Sequence, residues 1–239
     1  MIMRLKLTFF SKNNENYEFN KYDIEGMIYS TMLDAGMTEI HAGNKIRFFS
    51  FSDIFPYNIV KKDFLYNLII SSPDSNIIDN IYNILDKNRY LYLSGVRFSV
   101  ADINKFDLKI TNNFITGSPV VLYLDNRENK YFSIKSDSIA FFLKRIKENA
   151  IKKFNLYYNE NININHLIFD RLKFHKEVSI LLKKGGNIFN IVGTTWYSLS
   201  LNRLNRNEIK FYKLIMDTGI GEKNSLGFGF LNPVRSYGQ

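Results

Sequence analysis

An α+β fold of two tandem βαββαβ units is predicted from three features: a period-two opening segment, two rounds of strand and helix patterning, and a compositional break between them. In this 239-residue chain Met3, Leu5, Leu7 and Phe9 alternate with Arg4, Lys6 and Thr8, the signature of a half-buried strand. Ile24, Met27, Ile28, Thr31 and Ala35 then recur at helical spacing, and Gly36 can end that helix. Segments 45–51 and 64–71 read as two further strands. Pro73-Asp74-Ser75 opens a second helix carried by Ile77, Ile78, Ile81 and Leu85, and 90–100 reads as one strand. The resulting order is that of a ferredoxin-like (RRM-like) unit, whose helices cover one face of an antiparallel sheet and leave the other for a partner.

Asn, Thr, Gly, Ser and Pro crowd into 111–119, which places a junction there and divides the chain into units 1–111 and 112–239. The pattern then restarts. Segments 120–124 and 130–134 look like a hairpin, and Ile139, Phe142, Leu143, Ile146, Ala150 and Phe154 mark a long amphipathic helix. Lys144, Arg145, Lys147, Lys152 and Lys153 are assigned to its solvated side. Strands are expected at 166–174, 178–184 and 188–201, with Gly185-Gly186 as a hairpin turn between the last two. A helix near 207–217 and a strand at 228–234 complete the second unit.

Composition narrows the function. A formal charge of +9, from 32 Lys and Arg against 23 Asp and Glu, favours an anionic partner such as nucleic acid. The 15 Tyr and 21 Phe are mostly core, yet any that lie beside cations suit unpaired bases. With no cysteine, disulfides and thiolate metal sites are excluded. Charge at Arg4 and Lys6 argues against a signal peptide, and no apolar run approaches the roughly 18 residues of a membrane span. A cytoplasmic protein with no membrane partner is the expectation.

The most informative segment is Gly219-Ile220-Gly221-Glu222-Lys223-Asn224-Ser225-Leu226-Gly227-Phe228-Gly229, two Gly-hydrophobic-Gly triplets around a five-residue tip. It sits between a predicted helix and a predicted strand, the reverse of a dinucleotide-binding loop, and it lacks the Gly-Lys-Ser/Thr of a phosphate loop. It reads as a tight crossover packed on the sheet, with Lys223 and backbone N–H groups available to RNA.

This loop resembles the C-terminal signature of the repeat-associated RNA-binding superfamily of CRISPR systems, and within it the repeat-processing endoribonucleases, the sixth Cas type. Ser118-Pro119-Val120 at the start of the second unit and Gly193 in the penultimate strand agree with that resemblance. It implies tandem ferredoxin-like units, no cofactor, and precursor and mature CRISPR RNA as partners, with effector-complex subunits and a second copy in a homodimer as further ones. It implies RNA contacts at Arg47, Gly219, Gly221, Lys223, Gly227 and Gly229. The superfamily also includes inert RNA-binding subunits, so the loop implies kinship and leaves activity to the site.

Three histidines occur: His41, His166 and His175. His41 lies in a polar stretch between the first helix and the next strand, where an imidazole can stay exposed and exchange protons near neutrality. The resemblance assigns it general acid/base catalysis and leaves open which of the two roles it takes. Nine residues separate His166 and His175, which puts them on opposite faces of one predicted strand, and no compact set at metal-ligand spacing appears. Cleavage without metal is therefore expected, with the ribose 2′-OH attacking the adjacent phosphate to leave a 2′,3′-cyclic phosphate and a 5′-OH. Lys45 and Arg47 follow His41 closely enough to bring positive charge to the transition state, the choice between them remaining open. Tyr29 is assigned to the site by resemblance alone. The rivals are an inert RNA-binding module and an interaction domain with an incidental basic surface.

Overall fold

The computed structural model describes residues 2–13, 17–37, 46–56 and 59–234. Strand β1 (Ile2–Phe10) is followed by α1 (Lys21–Asp34), β2 (Ser50–Phe51), β3 (Tyr66–Ser71), α2 (Ser75–Asn88), β4 (Tyr90–Leu93) and β5 (Val96–Leu108). The sheet order is β2-β3-β1-β5-β4, antiparallel throughout. With β4 set aside as an edge addition, this is the ferredoxin-like arrangement. Caps define the helices: the Asn20 side chain accepts from the Tyr22 N–H at the start of α1, and Asp74 accepts from Asn76 at the start of α2. Leu5, Leu7 and Phe9 of β1 pack under both helices with Ile24, Ile28, Ile78 and Ile81 in one core.

The second unit repeats the topology with β6 (Asn113–Thr116), α3 (Ile139–Tyr158), β9 (Arg171–Lys184), β10 (Asn187–Ser200), α4 (Ile209–Thr218) and β11 (Leu231–Pro233). Its sheet order is β11-β6-β10-β9, again antiparallel. A small hairpin of β7 (Tyr123–Asp125) and β8 (Lys130–Tyr131) is inserted before α3. The molecule is thus an α+β protein of two tandem ferredoxin-like units. No helix among the described residues is long and apolar enough to cross a membrane.

Several local expectations are corrected. The stretch 90–100 is a hairpin, because Ser94 and Gly95 both take positive φ (50° and 82°) and turn the chain after β4. The Asn/Gly/Ser/Pro-rich segment at 111–119 contains β6, which pairs with both β10 and β11. Segment 166–170 is irregular, so His166 is not on a strand, and β9 runs unbroken over what the sequence divides in two. Register shifts between Thr195 and Ser198 leave His175 and Tyr197 without ladder partners, and their ring centres lie 4.1 Å apart with the planes tilted by 37°. Of the described residues in 45–51, only Ser50 and Phe51 are strand. Of 228–234, only Leu231–Pro233 is strand.

One end of the free face of the first sheet is covered from within the chain. Arg4, on the side of β1 opposite the core, is fully buried and donates to Asn232 Oδ1 (2.7 Å) and to the carbonyls of Met216 (2.8 Å) and Leu231 (2.6 Å). Its guanidinium lies 4.4 Å from the Phe230 ring centre. Burial lowers the Arg4 pKa to about 10, opposed by the charge of Asp217. Burial likewise pushes the Asp217 carboxyl up to about 7, while the Ser71 hydroxyl donates to it at 2.9 Å. Part of the face predicted to be open to a partner is therefore the seam between the two units.

Candidate active site at the tip of the glycine loop

The loop between α4 and β11 is fixed by side chains from both units. From α3, Lys153 donates to the Gly219 carbonyl (2.5 Å) and to Asn224 Oδ1 (2.7 Å). The Asn224 amide in turn donates to the carbonyls of Ile220 (2.9 Å) and Phe228 (2.8 Å), closing the loop across its neck. Glu222 accepts from the Tyr123 N–H (2.6 Å), from Arg145 (2.7 Å) and from Asn149 (3.2 Å). From α1, Lys21 donates to the Gly227 carbonyl (2.8 Å), pairs with Asp53 (2.5 Å) and lies 4.8 Å from the Phe228 ring centre.

Lys153 corrects the assignment of that basic run to solvent. It follows Ile146 and Ala150 on the buried face of α3, and burial lowers its pKa to about 7, with Glu222 opposing. Arg145 is likewise engaged rather than free, through Glu222.

The four loop glycines are buried against protein. Gly227 has φ +74°, and a Cβ there would overlap the Phe51 ring; Gly229 has φ +69°, and a Cβ would overlap the Ile220 carbonyl oxygen. Among the loop residues assigned to RNA, Lys223 is the one that is partly exposed. Its ammonium lies 5.2 Å from the Tyr123 ring centre, and Tyr123 stacks on Tyr131 at 4.9 Å. Lys184, at the end of β9, lies 4.8 Å from the ring of Tyr22, and the adjacent Lys183 carbonyl accepts from Asn20 at 2.9 Å. Cations and tyrosine rings thus gather where the loop tip, the β7–β8 hairpin, β9 and the start of α1 meet.

At the same place the tip reaches the polar edge of α1. The side chains of Arg47 and Ser225 both lower the Tyr29 pKa, and the Tyr29 ring packs edge-on against Phe49 at 5.7 Å. Ser225 also donates to Glu25 at 3.3 Å, and Arg47, Lys184 and Lys223 all act on the Glu25 carboxylate. The Tyr29 pKa is raised, mainly by burial and then by Glu25, which keeps its hydroxyl protonated and suited to donate. Burial also raises the Glu25 pKa, against the stabilising effects of Ser225 and the three cations. The structure therefore brings together Tyr29, Arg47 and Lys223 of the residues singled out from sequence, and adds Glu25, Ser225 and Lys184. His41 and Lys45 lie outside the described residues, which include Arg47 and its neighbour Ile46.

The other two histidines are placed elsewhere. His166 has Nε2 2.7 Å from Glu208 and Nδ1 2.7 Å from the Leu167 carbonyl. Its pKa is raised, first by the Glu208 hydrogen bond. His175 Nδ1 lies 3.2 Å from the Thr195 hydroxyl. Among the described residues, no three His, Cys, Asp or Glu side chains converge as a metal site.

Two ferredoxin-like units in tandem, with a glycine loop locked between them, define the architecture of the repeat-associated RNA-binding superfamily. The family described as "CRISPR associated protein Cas6, C-terminal" matches residues 102–233. Over 98% of this chain and 100% of the relative, the sequence is 43% identical to the CRISPR-associated endoribonuclease Cas6 2 of Methanocaldococcus jannaschii. The chain belongs to the Cas6 family. A solved structure described as the product of a Cas6-related gene from Pyrococcus furiosus shares the fold with a TM-score of 0.73 and 20% identity, covering 99% of this chain and all of that one. A solved protein described as an RAMP protein binding different RNA substrates does so with a TM-score of 0.71 and 21% identity, over 98% and 100% of the two chains.

Proposed function

We propose that the chain is a metal-independent endoribonuclease that cleaves precursor CRISPR RNA within its repeats. The observation that carries the reading is the convergence of Tyr29, Arg47, Ser225 and Lys223 at the loop tip, with Arg47 following His41 and Lys45 closely in the sequence. RNA supplies its own nucleophile: the 2′-oxygen bonds to the neighbouring phosphorus as the bond to the 5′-oxygen breaks. The proton leaves the 2′-OH and one is delivered to the departing 5′-oxygen, with His41 as base or acid in this exchange. Such assistance is worth about 10²–10⁴-fold in rate. Tyr29, held protonated, donates a hydrogen bond, while Arg47 and Lys45 offset the charge that grows on the non-bridging oxygens. The products are a 2′,3′-cyclic phosphate and a 5′-OH.

In this reading, unit 1–111 supplies the reacting groups and unit 112–239 supplies the loop that fixes them. Lys184, Lys223 and the rings of Tyr22, Tyr123 and Tyr131 provide phosphate neutralisation and stacking surface for unpaired nucleotides. The setting is the cytoplasm, and the partner is the repeat RNA before and after cleavage.

The test is to incubate purified protein with repeat RNA in EDTA and to map both ends of every product. Cyclic phosphate and 5′-OH termini are expected, and His41→Ala should bind the RNA normally while cutting it about 10²–10⁴-fold more slowly. A requirement for magnesium together with 3′-OH ends would overturn the reading, as would a His41→Ala protein that cuts at the normal rate.

A further inference from the structure

Glu25 is an unexpected residue to find where an anionic substrate is to be cut. It lies one helical turn before Tyr29, so the two side chains share the edge of α1 that faces the loop. A glutamate on a solvated helix face stays in water, whereas this one is more than half buried, which raises its pKa. The loop hydroxyl of Ser225 donates to it at 3.3 Å. Cations from three separate parts of the chain act on the same carboxylate: Arg47 ahead of β2, Lys184 at the end of β9 and Lys223 at the loop tip. Ser225 and Arg47 also bear on the Tyr29 hydroxyl, both lowering its pKa. Among the described residues Glu25 is thus the acid at the meeting point of the groups that define the centre.

We propose that Glu25 is a positioning residue: its carboxylate, held by Ser225, gathers Arg47, Lys184 and Lys223 around Tyr29 and so orients the positive charge that meets the RNA phosphate. This inference rests on the endoribonuclease reading above. Without an anion among them, three like charges repel and spread apart, and Ser225 loses the carboxylate that ties the loop tip to α1. With it, the cluster keeps a net excess of positive charge for the phosphate. The role has an unusual signature. Removing the negative charge should leave RNA binding unchanged or slightly tighter, because the carboxylate opposes the phosphate, yet it should slow the cleavage step, which depends on orientation.

The experiment measures single-turnover cleavage of repeat RNA in EDTA and, separately, the affinity for the same RNA carrying a 2′-deoxy substitution at the cut site. Wild type, Glu25→Gln and Glu25→Asp are compared across pH. Glu25→Gln keeps the shape and an oxygen for Ser225 but not the charge. It is expected to cut about tenfold more slowly with affinity equal to or above that of wild type. Glu25→Asp, which restores the charge with a shorter reach, should recover part of the rate. Among the described residues, the groups facing Glu25 are Tyr29 on its own helix, Ser225 and Lys223 on the loop, Lys184 and Arg47. A Glu25→Gln protein with the wild-type rate would overturn the proposal, as would one whose affinity falls in step with its rate. Failure of the reading itself shows in the wild-type lane, as uncut RNA.

Discussion

The neck of the glycine loop and its tip, a few residues apart, are built for opposite purposes. At the neck, Gly219, Gly221, Gly227 and Gly229 are buried, and Lys153, Asn224 and Lys21 satisfy the backbone carbonyls around them. At the tip, Lys223 and Ser225 remain partly exposed and face the Tyr29 cluster, while Asn224 between them turns inward to tie the neck. The lesson is that the loop's glycines make the architecture, while the two side chains that flank Asn224 stay partly exposed and reach α1 and the β7–β8 hairpin. Breaking the neck should therefore cost stability, and altering the tip should cost function.

The largest effect is expected from Gly229→Ala. The residue has φ +69°, and its new Cβ would overlap the Ile220 carbonyl oxygen. A loss of about 3 kcal/mol or more should follow, seen as a fall in Tm of roughly 10 °C. A variant as stable as wild type would show that the neck is not the rigid element described.

Lys153→Met comes next. It leaves the Gly219 carbonyl and Asn224 Oδ1 without their donor, at a cost of about 1–3 kcal/mol. The Lys153 pKa is about 7 when folded, against about 10.4 for an ordinary lysine. Between those values the unfolded chain holds the extra proton, so wild type gains stability from this group as pH rises and loses it as pH falls toward 7. Denaturant titrations at pH 7 and pH 9 should show the Met variant further below wild type at the higher pH. An equal gap at both would refute the buried, easily deprotonated lysine.

The smallest effect is expected from Lys223→Ala at the tip. Its Tm should match wild type, while the slope of log affinity for RNA against log salt should become shallower by about 0.7, the value of one phosphate contact on a single strand. An unchanged slope would remove Lys223 from the RNA path.

The legible parts of the fold were those set by local pattern. The alternation of β1 and the helical spacing of α1 and α2 could be read directly, as could the Gly185-Gly186 turn, whose residues take φ of 55° and 82°. The Ser94-Gly95 turn carried the same kind of signal but lay inside an apolar run that masked it. β9 was divided because Lys173-Phe174-His175-Lys176 breaks the alternation, and the register shift at that point is the physical cause. Lys153 was sorted by its charge; its spacing from Ile146 and Ala150 already put it on the apolar face. In the site, Tyr29 rested on resemblance, and Glu25 carried no local mark at all. Its partners Lys184 and Ser225 are distant in sequence and meet it only because the loop of one unit docks on the first helix of the other.

Tyr29→Phe tests the central claim most directly, since it removes one oxygen from the point where α1, Arg47 and the loop tip meet. Thermal unfolding and single-turnover cleavage of repeat RNA in EDTA should be measured on the same preparation. The account expects Tm within a few degrees of wild type and a cleavage rate lower by about 10²-fold. A protein that unfolds normally and cuts at the wild-type rate would contradict it.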